Sequence, residues 1–311
     1  MKAVRIHAYG NADVLKYEDA PLPDVAPNDV LVQVVAASVN PVDWKIREGY
    51  LQQMISYQFP LTLGWDVSGV VDAVGSKVTR FKVGDAVFSR PDIRRNGTYA
   101  EYVAIREDEL ALKPGTISHV EAATLPLAGI AAWEAIVTTA KVTAGQRVLI
   151  HAASGGVGSI AVQLAKSRGA YVIATTSEKN RALVRSIGAD EVIDYRVLKF
   201  EEVAREMDVV LDTMGGQVQE ASLSVLKPGG ILVSIISPPP EERAKALGVR
   251  SAFLFIQPSA AILSQLAALV ESGKLRPIVG AEFALKDIAK AHALSQSGHA
   301  VGKIALYVGQ P

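Results

Sequence analysis

The sequence predicts an α/β fold in two parts, a mostly β domain and a doubly wound parallel sheet. From residue 1 to about 115, short β-rich runs such as DVLVQVVAASV and DAVFS are separated by Gly, Pro, Asn and Asp. From about residue 120, strand-like and helix-like segments alternate, as they do in a parallel sheet. A glycine-rich turn joins the first of these strands to the first of these helices.

The strands of the second part are apolar runs, in chain order RVLIHA, YVIATT, DEVIDY, DVVLDT and GILVSII. The connecting helices are predicted over residues 156–168, 179–187, 199–206 and 217–226. Glycines close three of them, because Gly adopts the positive φ of a helix C-cap: Gly169, Gly188 and the KPGG at 227–230. One more amphipathic helix is predicted over 286–297, followed by a final strand, KIALYV.

Composition excludes several classes of function. The 311 residues, 49% hydrophobic, are enough for two cores, and Lys plus Arg equals Asp plus Glu at 32 each, so we expect no nucleic-acid partner. No apolar leader and no run of 18 apolar residues is present, so we expect a cytoplasmic protein without a membrane partner. Because cysteine is absent, a disulfide, a thiolate nucleophile and a Cys-ligated metal are excluded.

The stretch LIHAASGGVGSIAVQLAKSRGA, residues 149–170, has the context of a dinucleotide-binding turn in a Rossmann domain. Ala153, Gly155 and Gly158 take the three positions of the G-x-G-x-x-G fingerprint, with Ala in place of the first Gly. The candidate cofactor-binding residues of the turn are Ala153, Ser154, Gly155, Gly156, Val157 and Gly158. Apolar residues of the following helix should pack it on the sheet: Ile160, Ala161, Leu164 and Ala165. The alternative is a strand–helix turn without a ligand.

The residues after the second strand bear on the choice between NADP and NAD. No Asp follows YVIATT; the chain continues with Ser177, Glu178 and Lys179. Ser177 can donate to a 2′-phosphate and Lys179 can neutralise it, which favours NADP(H). Glu178 can instead accept from the ribose hydroxyl of NAD, and Lys179 can be a solvated surface charge, so both alternatives stay open.

In its full length the chain resembles the zinc-independent quinone oxidoreductases, akin to zeta-crystallin, and the alkenal and enone reductases of the medium-chain dehydrogenase/reductase superfamily. Motifs that carry the resemblance include NPVDWKIREG, PLTLGWDVSGVVDAVG, GTYAEYVAI, AASGGVG and GADEVIDY. The resemblance implies a GroES-like catalytic domain over 1–119 and 277–311 and a Rossmann domain over 120–276. It also implies that cofactor and substrate share the cleft between the two domains.

The resemblance implies that no zinc is bound. Relatives that oxidise alcohols hold a catalytic zinc through patterns like C-G-x-D and G-H-E, but Asn40 stands in place of the Cys and Trp65 in place of the His. The five histidines lie far apart without ligand spacing. Without a Lewis acid, the site suits an acceptor that is already electron-poor, namely a quinone or an α,β-unsaturated carbonyl.

Site residues follow from the same resemblance. Asn40 is expected beside both nicotinamide and substrate. Lys45 stands where zeta-crystallin-like reductases often carry Tyr and is similar to the alkenal and enone reductases; it is expected beside a developing enolate, and Trp65 is expected in the pocket wall. Thr124 is expected on the nicotinamide side, Tyr195 near the 2′-phosphate, and Phe253 and Phe255 beside the nicotinamide ring. Each catalytic candidate has a structural alternative: Asn40 as the start of an Asn-Pro turn, Lys45 as an exposed cation and Trp65 as a core aromatic.

The function expected is therefore an NADPH-dependent reductase of quinones, enals or enones. The alternatives are an enoyl-thioester reductase and a cofactor-binding protein without efficient catalysis. The apolar run SAFLFIQ at 251–257 is predicted to form an edge strand that pairs across a twofold axis, so we expect a homodimer.

Overall fold

A computed structural model describes residues 1–308. The strands are β1 Lys2–Ile6, β2 Lys16–Asp19, β3 Asp29–Val39, β4 Leu61–Thr62, β5 Val67–Val74, β6 Ala86–Ser89, β7 Tyr102–Arg106, β8 Leu110–Leu112, β9 Arg147–Ile150, β10 Tyr171–Thr176, β11 Glu191–Asp194, β12 Met207–Asp212, β13 Leu226–Ser234, β14 Arg250–Phe253, β15 Val279–Ala284 and β16 Lys303–Tyr307. The α-helices are α1 Pro41–Arg47, α2 His119–Ala123, α3 Pro126–Trp133, α4 Gly156–Ser167, α5 Arg181–Ser186, α6 Phe200–Val203, α7 Gly216–Ser222, α8 Glu241–Ala246, α9 Ala260–Glu271 and α10 Ile288–Gln296. A π-helical segment, Glu134–Thr139, continues α3.

The chain forms two compact units. Unit 1 comprises Met1–Leu127, Gln257–Gly273 and the chain from Pro277, and unit 2 comprises Ala128–Ile256 and Lys274–Arg276. No helix formed by residues 1–308 has the length and apolar character needed to cross a membrane.

Unit 1 is built on the long strand β3. It lies inside a seven-stranded sheet of order β15-β16-β3-β5-β6-β8, and β7 pairs with its first half. Residues on both faces of β3 are buried, which explains its run of Val, Leu and Ala. A second sheet, of order β2-β1-β4, is antiparallel. The mostly β character predicted for the first part of the chain is confirmed.

Unit 2 contains a six-stranded parallel sheet of order β11-β10-β9-β12-β13-β14. This is the doubly wound order, in which the order of successive strands reverses between β9 and β12. Ligands of such sheets bind at the carboxyl ends of the strands near that reversal. Helix α4 begins where β9 ends. The four residues predicted to face the sheet are all buried: Ile160, Ala161, Leu164 and Ala165.

The structure differs from the sequence-based expectation in two places. The helix predicted over 199–206 is only the short α6, because Ala204 has an extended backbone and Phe200 is the single buried residue within α6. Residues 120–127 and 257–273, expected in the dinucleotide-binding part, belong to unit 1. The reason is that α2 packs on β3 and α9 packs on β8, which are strands of the unit 1 sheet.

Candidate functional site

Asn40 lies at the junction between β3 and α1. The strand ends at Val39, Asn40 is the N-cap of the helix, and Pro41 opens it, a position that proline suits because no N–H is needed there. The backbone N–H of Asn40 donates to Asp43 Oδ2 at 2.8 Å. Asn40 is only 2% exposed, so its side-chain amide must find its partners within the protein.

Two charged residues determine how that amide is turned. Asn40 Nδ2 donates to Asp66 Oδ2 at 2.7 Å, and Lys303 Nζ donates to Asn40 Oδ1. An ammonium can only donate and a carboxylate can only accept, so the reversed amide would lose both contacts. The amide N–H₂ therefore faces Asp66, and its second N–H has no acceptor among residues 1–308.

The carboxylate of Asp66 is fully buried and extensively bonded. Besides Asn40, its Oδ2 accepts from Ser38 Oγ at 2.7 Å and from Lys303 Nζ at 3.1 Å, while Oδ1 accepts from Leu127 N at 2.7 Å. A charged carboxylate is stable in such a place because every neighbour is a donor.

Strand pairing brings these residues together. Ile304 pairs with Val39, so Lys303 lies opposite Asn40, and Ala37 pairs with Val67, so Ser38 lies opposite Asp66. One edge of the unit 1 sheet thus presents a cation, an amide and a carboxylate from three adjacent strands.

A second carboxyl group lies beneath Asn40. Asp43 is fully buried, and its Oδ2 accepts from Tyr99 OH at 2.6 Å. Its Oδ1 has no hydrogen-bond partner among residues 1–308. Burial raises the pKa of Asp43 to about 7, against the opposing hydrogen bonds from Tyr99 and Asn40. The unpartnered oxygen is the natural place for the proton.

The glycine turn of unit 2 fits a dinucleotide. Helix α4 begins at Gly156 with Gly155 as N-cap, and no side chain caps it, so the first N–H groups of the helix are left for a ligand. A Cβ on Gly158 would lie 2.4 Å from the carbonyl oxygen of Ala152, so only glycine permits this close approach. Ala153 is buried and its N–H donates to Thr175 O at 3.0 Å, which holds the turn against β10.

Polar side chains tie this turn to the end of β10. Thr176 Oγ1 donates to Ser154 Oγ at 2.9 Å, and Asn180 Nδ2 donates to the same oxygen at 3.1 Å. Asn180 Nδ2 also lies 3.4 Å from Ser177 Oγ. The hydroxyls of Ser154 and Ser177 are therefore held in one polar group at the carboxyl ends of β9 and β10.

Comparison with known proteins agrees with these features. Residues 26–115 match the alcohol dehydrogenase GroES-like domain, and residues 187–306 match the zinc-binding dehydrogenase domain. The NADPH-dependent alkenal/one oxidoreductase of Arabidopsis thaliana chloroplasts is 37% identical over 99% of this chain and 79% of its own length. The quinone oxidoreductase structure from Coxiella burnetii is 36% identical, with a TM-score of 0.94 over 99% of both chains.

The chain belongs to the quinone and alkenal/one oxidoreductases of the medium-chain dehydrogenase/reductase superfamily. It is an oxidoreductase with a GroES-like part and a Rossmann part. The Escherichia coli quinone oxidoreductase, solved in complex with NADPH, is 27% identical, with a TM-score of 0.89 over 99% of this chain and all of its own.

The residues expected to distinguish NADP from NAD lie near one another in this oxidoreductase. Lys179 is exposed, whereas Glu178 accepts from Arg181 Nε at 2.6 Å and is thereby paired with a cation. Tyr195 follows β11, and its N–H donates to Thr176 O at 3.3 Å, beside Ser177. The guanidinium of Arg196 lies 5.9 Å from the centroid of the exposed Tyr195 ring.

Three predicted residues of unit 1 have structural partners in the oxidoreductase. Trp65 is fully buried in the core cluster around Ile6 and Leu63, which favours the alternative of a core aromatic over a pocket wall. Thr124 is buried as well, and its Oγ1 donates to Glu121 O at 2.7 Å. Lys45, on α1, is half-buried, with Nζ 5.7 Å from the centroid of the Trp44 ring.

Phe253 and Phe255 lie at the carboxyl end of β14, the outermost strand of the unit 2 sheet. They are 40% and 44% exposed. The sequence suggested two uses for this segment, a nicotinamide contact and a subunit contact, and the exposed rings are compatible with both.

The histidines of this oxidoreductase show no metal-site arrangement. Within residues 1–308, no three His, Cys, Asp or Glu side chains are grouped so that they could hold a metal ion. His151, for example, is buried between Thr175 and Ser222, and burial lowers its pKa to about 4. It is a neutral core residue.

Sequence reasoning missed the roles of Asp66, Lys303 and Asn180. Asp66 stands beside Trp65 in the Gly-Trp-Asp motif, but its acceptor role depends on strand pairing that the sequence does not display. Asn180 lies three residues after Ser177, and this spacing at a helix start was a usable signal.

Proposed function

We propose that this protein is an NADPH-dependent, zinc-independent reductase of quinones or of α,β-unsaturated aldehydes and ketones. The observation that carries the proposal is the buried amide of Asn40, held in one orientation by Asp66 and Lys303. An N–H donor fixed before the acceptor arrives stabilises charge on a carbonyl oxygen without reorganisation.

The chain's own residues would act as follows. The turn at 153–158 would hold the pyrophosphate, with Ser177, Lys179 and Tyr195 at the 2′-phosphate. NADPH, when bound, supplies hydride to the acceptor. Asn40 would donate its remaining N–H to the carbonyl oxygen of the acceptor, and solvent would supply the proton that completes the reduction.

The choice of NADPH rests on charge. Lys179 has no carboxylate within ion-pair distance in the described part of the chain, whereas the acidic alternative, Glu178, is paired with Arg181. A 2′-phosphate would meet a cation here, and the ribose hydroxyls of NAD would lack a carboxylate acceptor.

A substrate panel tests the proposal. Stopped-flow oxidation of NADPH is followed with quinones, enals, enones, enoyl thioesters and simple alkanals. We expect turnover with the first three classes, full activity after chelation, and no stoichiometric zinc by elemental analysis. Preference for enoyl thioesters, or zinc-dependent turnover, would contradict it, and NADPH binding without oxidation of any acceptor would favour a non-catalytic role.

A further inference from the structure

Arg90 is a buried arginine with an incomplete set of hydrogen bonds. It directly follows β6 and is 4% exposed. Its Nε finds no hydrogen-bond acceptor among residues 1–308. A guanidinium is charged at any physiological pH and carries five N–H donors, so a buried one is ordinarily surrounded by acceptors. This site lacks at least one acceptor that the charge requires.

The carboxylates near Arg90 are already paired with other cations. Burial lowers the pKa of the Arg90 guanidinium, and the negative charges of Asp66, Asp92 and Glu109 oppose this lowering. Asp66 lies 3.1 Å from Lys303 and Asp92 lies 3.6 Å from Arg94, whereas Glu109 lies 4.0 Å from Arg106, which is shared with Asp108 at 3.0 Å. Within residues 1–308, none of the three carboxylates lies within ion-pair distance of Arg90.

Strand register places Arg90 at the same sheet edge as Asn40. Val67 pairs with Ser89, so the next step of the antiparallel ladder puts Arg90 opposite Asp66. Asp66 in turn accepts from the amide of Asn40. The row across four adjacent strands is therefore Lys303, Asn40, Asp66 and Arg90.

The hydroxyl of Tyr57 is a second unsatisfied group in this region. It is buried and has no hydrogen-bond partner among residues 1–308. Burial raises the pKa of Tyr57, and the nearby charge of Arg90 opposes that rise, so the hydroxyl is neutral and can donate. A cationic donor and a neutral donor, both without acceptors, suit an oxygen that carries negative charge.

We propose that Arg90, assisted by the hydroxyl of Tyr57, forms an oxyanion site that binds the acceptor oxygen as it becomes negatively charged. This rests on the proposed function and adds a charged group to it. When hydride adds to the β-carbon of an enone, the C=C electron pair moves toward the carbonyl, and the carbonyl oxygen takes the negative charge of the resulting enolate. A quinone gives a hydroquinone monoanion in the same way. Solvent then protonates the α-carbon or the second oxygen.

The charge of Arg90 has a function that Asn40 cannot fulfil. The amide of Asn40 is a neutral donor, and the charge of Lys303 is balanced by Asp66 at 3.1 Å. Only Arg90 brings a net positive charge to the row, and charge on the oxygen develops mainly in the transition state. We therefore expect Arg90 to affect turnover more than acceptor binding.

Binding of simple probes tests the site without turnover. Benzoate and its neutral isostere benzamide are titrated into the cofactor-free protein by calorimetry. We expect wild type to bind benzoate at least tenfold more tightly than benzamide, and Arg90→Gln to lose that preference. Tyr57→Phe should reduce it about threefold to tenfold. Arg185→Gln, the same change at an exposed arginine of α5 in unit 2, should leave it unchanged.

Kinetics provide the second readout. Arg90→Gln should lower kcat for enones about a hundredfold with the KM for NADPH unchanged, and Arg90→Lys should recover part of it. Equal binding of the two probes by wild type, or an unchanged preference in Arg90→Gln, would overturn the oxyanion site even if enones are reduced. If no acceptor is reduced, the proposed function fails while the probe titration still decides this site. If Arg90→Gln does not fold, Arg90→Lys and Tyr57→Phe provide the test. A benzoate preference that stays at the wild-type level in both variants would overturn the proposal.

Discussion

Lys303 and Asp66 form a buried ion pair, with Nζ 3.1 Å from Oδ2 and side chains that are 7% and 0% exposed. All three hydrogen bonds of the ammonium are used, on Val39 O, Asn40 Oδ1 and Asp66 Oδ2. The pair joins the start of β16 to the residue before β5, and Asn40 lies between them. The two charged groups hold the amide of Asn40 in one orientation.

Removal of the lysine should destabilise the protein. In Lys303→Met the Asp66 carboxylate loses its counter-ion inside the core, and such a loss costs about 3–5 kcal/mol of the free energy of unfolding. Urea denaturation at pH 7 measures it. Lys286→Met, an exposed lysine on the same unit, should change it by less than about 0.5 kcal/mol. A loss below 1 kcal/mol for Lys303→Met would show that the pair contributes little.

Asn40→Ala should lower turnover. Loss of one preorganised donor to the acceptor oxygen reduces kcat about tenfold to a thousandfold, while the KM for NADPH changes little. Steady-state kinetics with an enone at saturating NADPH give both constants. Asn28→Ala, an exposed asparagine of the same unit, is the control. A variant of Asn40 with normal kcat would limit this residue to capping α1.

Lys179→Ala should change cofactor choice and leave turnover at saturating cofactor intact. A lost charge-assisted contact with the 2′-phosphate weakens NADPH by about 1–3 kcal/mol, or roughly 5-fold to 150-fold, with no such effect on NADH. Fluorescence titration of both cofactors measures the ratio. The exposed Lys199→Ala should keep the wild-type ratio. Wild-type protein that binds NADH as tightly as NADPH would contradict the assignment.

Asp43 should make stability fall as pH rises. Its pKa is about 7 in the folded protein against 3.8 ordinarily, so between these values the folded state holds a proton that the unfolded state has lost. The stabilisation is complete below pH 3.8 and lost as pH rises through 7, an effect of about 2–4 kcal/mol. Asp43→Asn should flatten this part of the curve of unfolding free energy against pH. The same slope in wild type and variant would assign it to other groups.

We propose a homodimer formed through β14. This strand is at the edge of the unit 2 sheet, so one side of its backbone pairs with no other described strand. The exposed Phe253 ends the strand and the exposed Phe255 follows it, so apolar side chains lie beside this unpaired backbone. Sedimentation at micromolar concentration should show twice the 33.0 kDa chain mass, and Phe253→Lys should shift it toward the monomer. Leu247→Lys, an exposed apolar residue of unit 2 outside that strand, should remain dimeric. A monomeric wild type would exclude this assembly.

Local patterns predicted the fold of unit 2 well. Strand, glycine turn and helix at 147–167 follow from neighbouring residues, and Gly158 is required by a contact within its own turn. The candidate site of unit 1 was only partly predictable. Asn40 follows from motif resemblance, but the role proposed for Arg90 depends on the register between β5 and β6 and on which nearby carboxylates are already paired. Such facts arise from distant parts of the chain, and no local spacing encodes them.

The position of Lys303 in the chain has a consequence for biosynthesis. The lysine is separated from Val39, whose carbonyl it bonds, by 264 positions, and all of unit 2 is translated between them. During synthesis, the glycine turn can therefore fold before Lys303, which bonds Asn40 and Asp66, has been added to the chain. We expect a nascent chain to bind the cofactor through unit 2 before the amide of Asn40 in unit 1 becomes ordered.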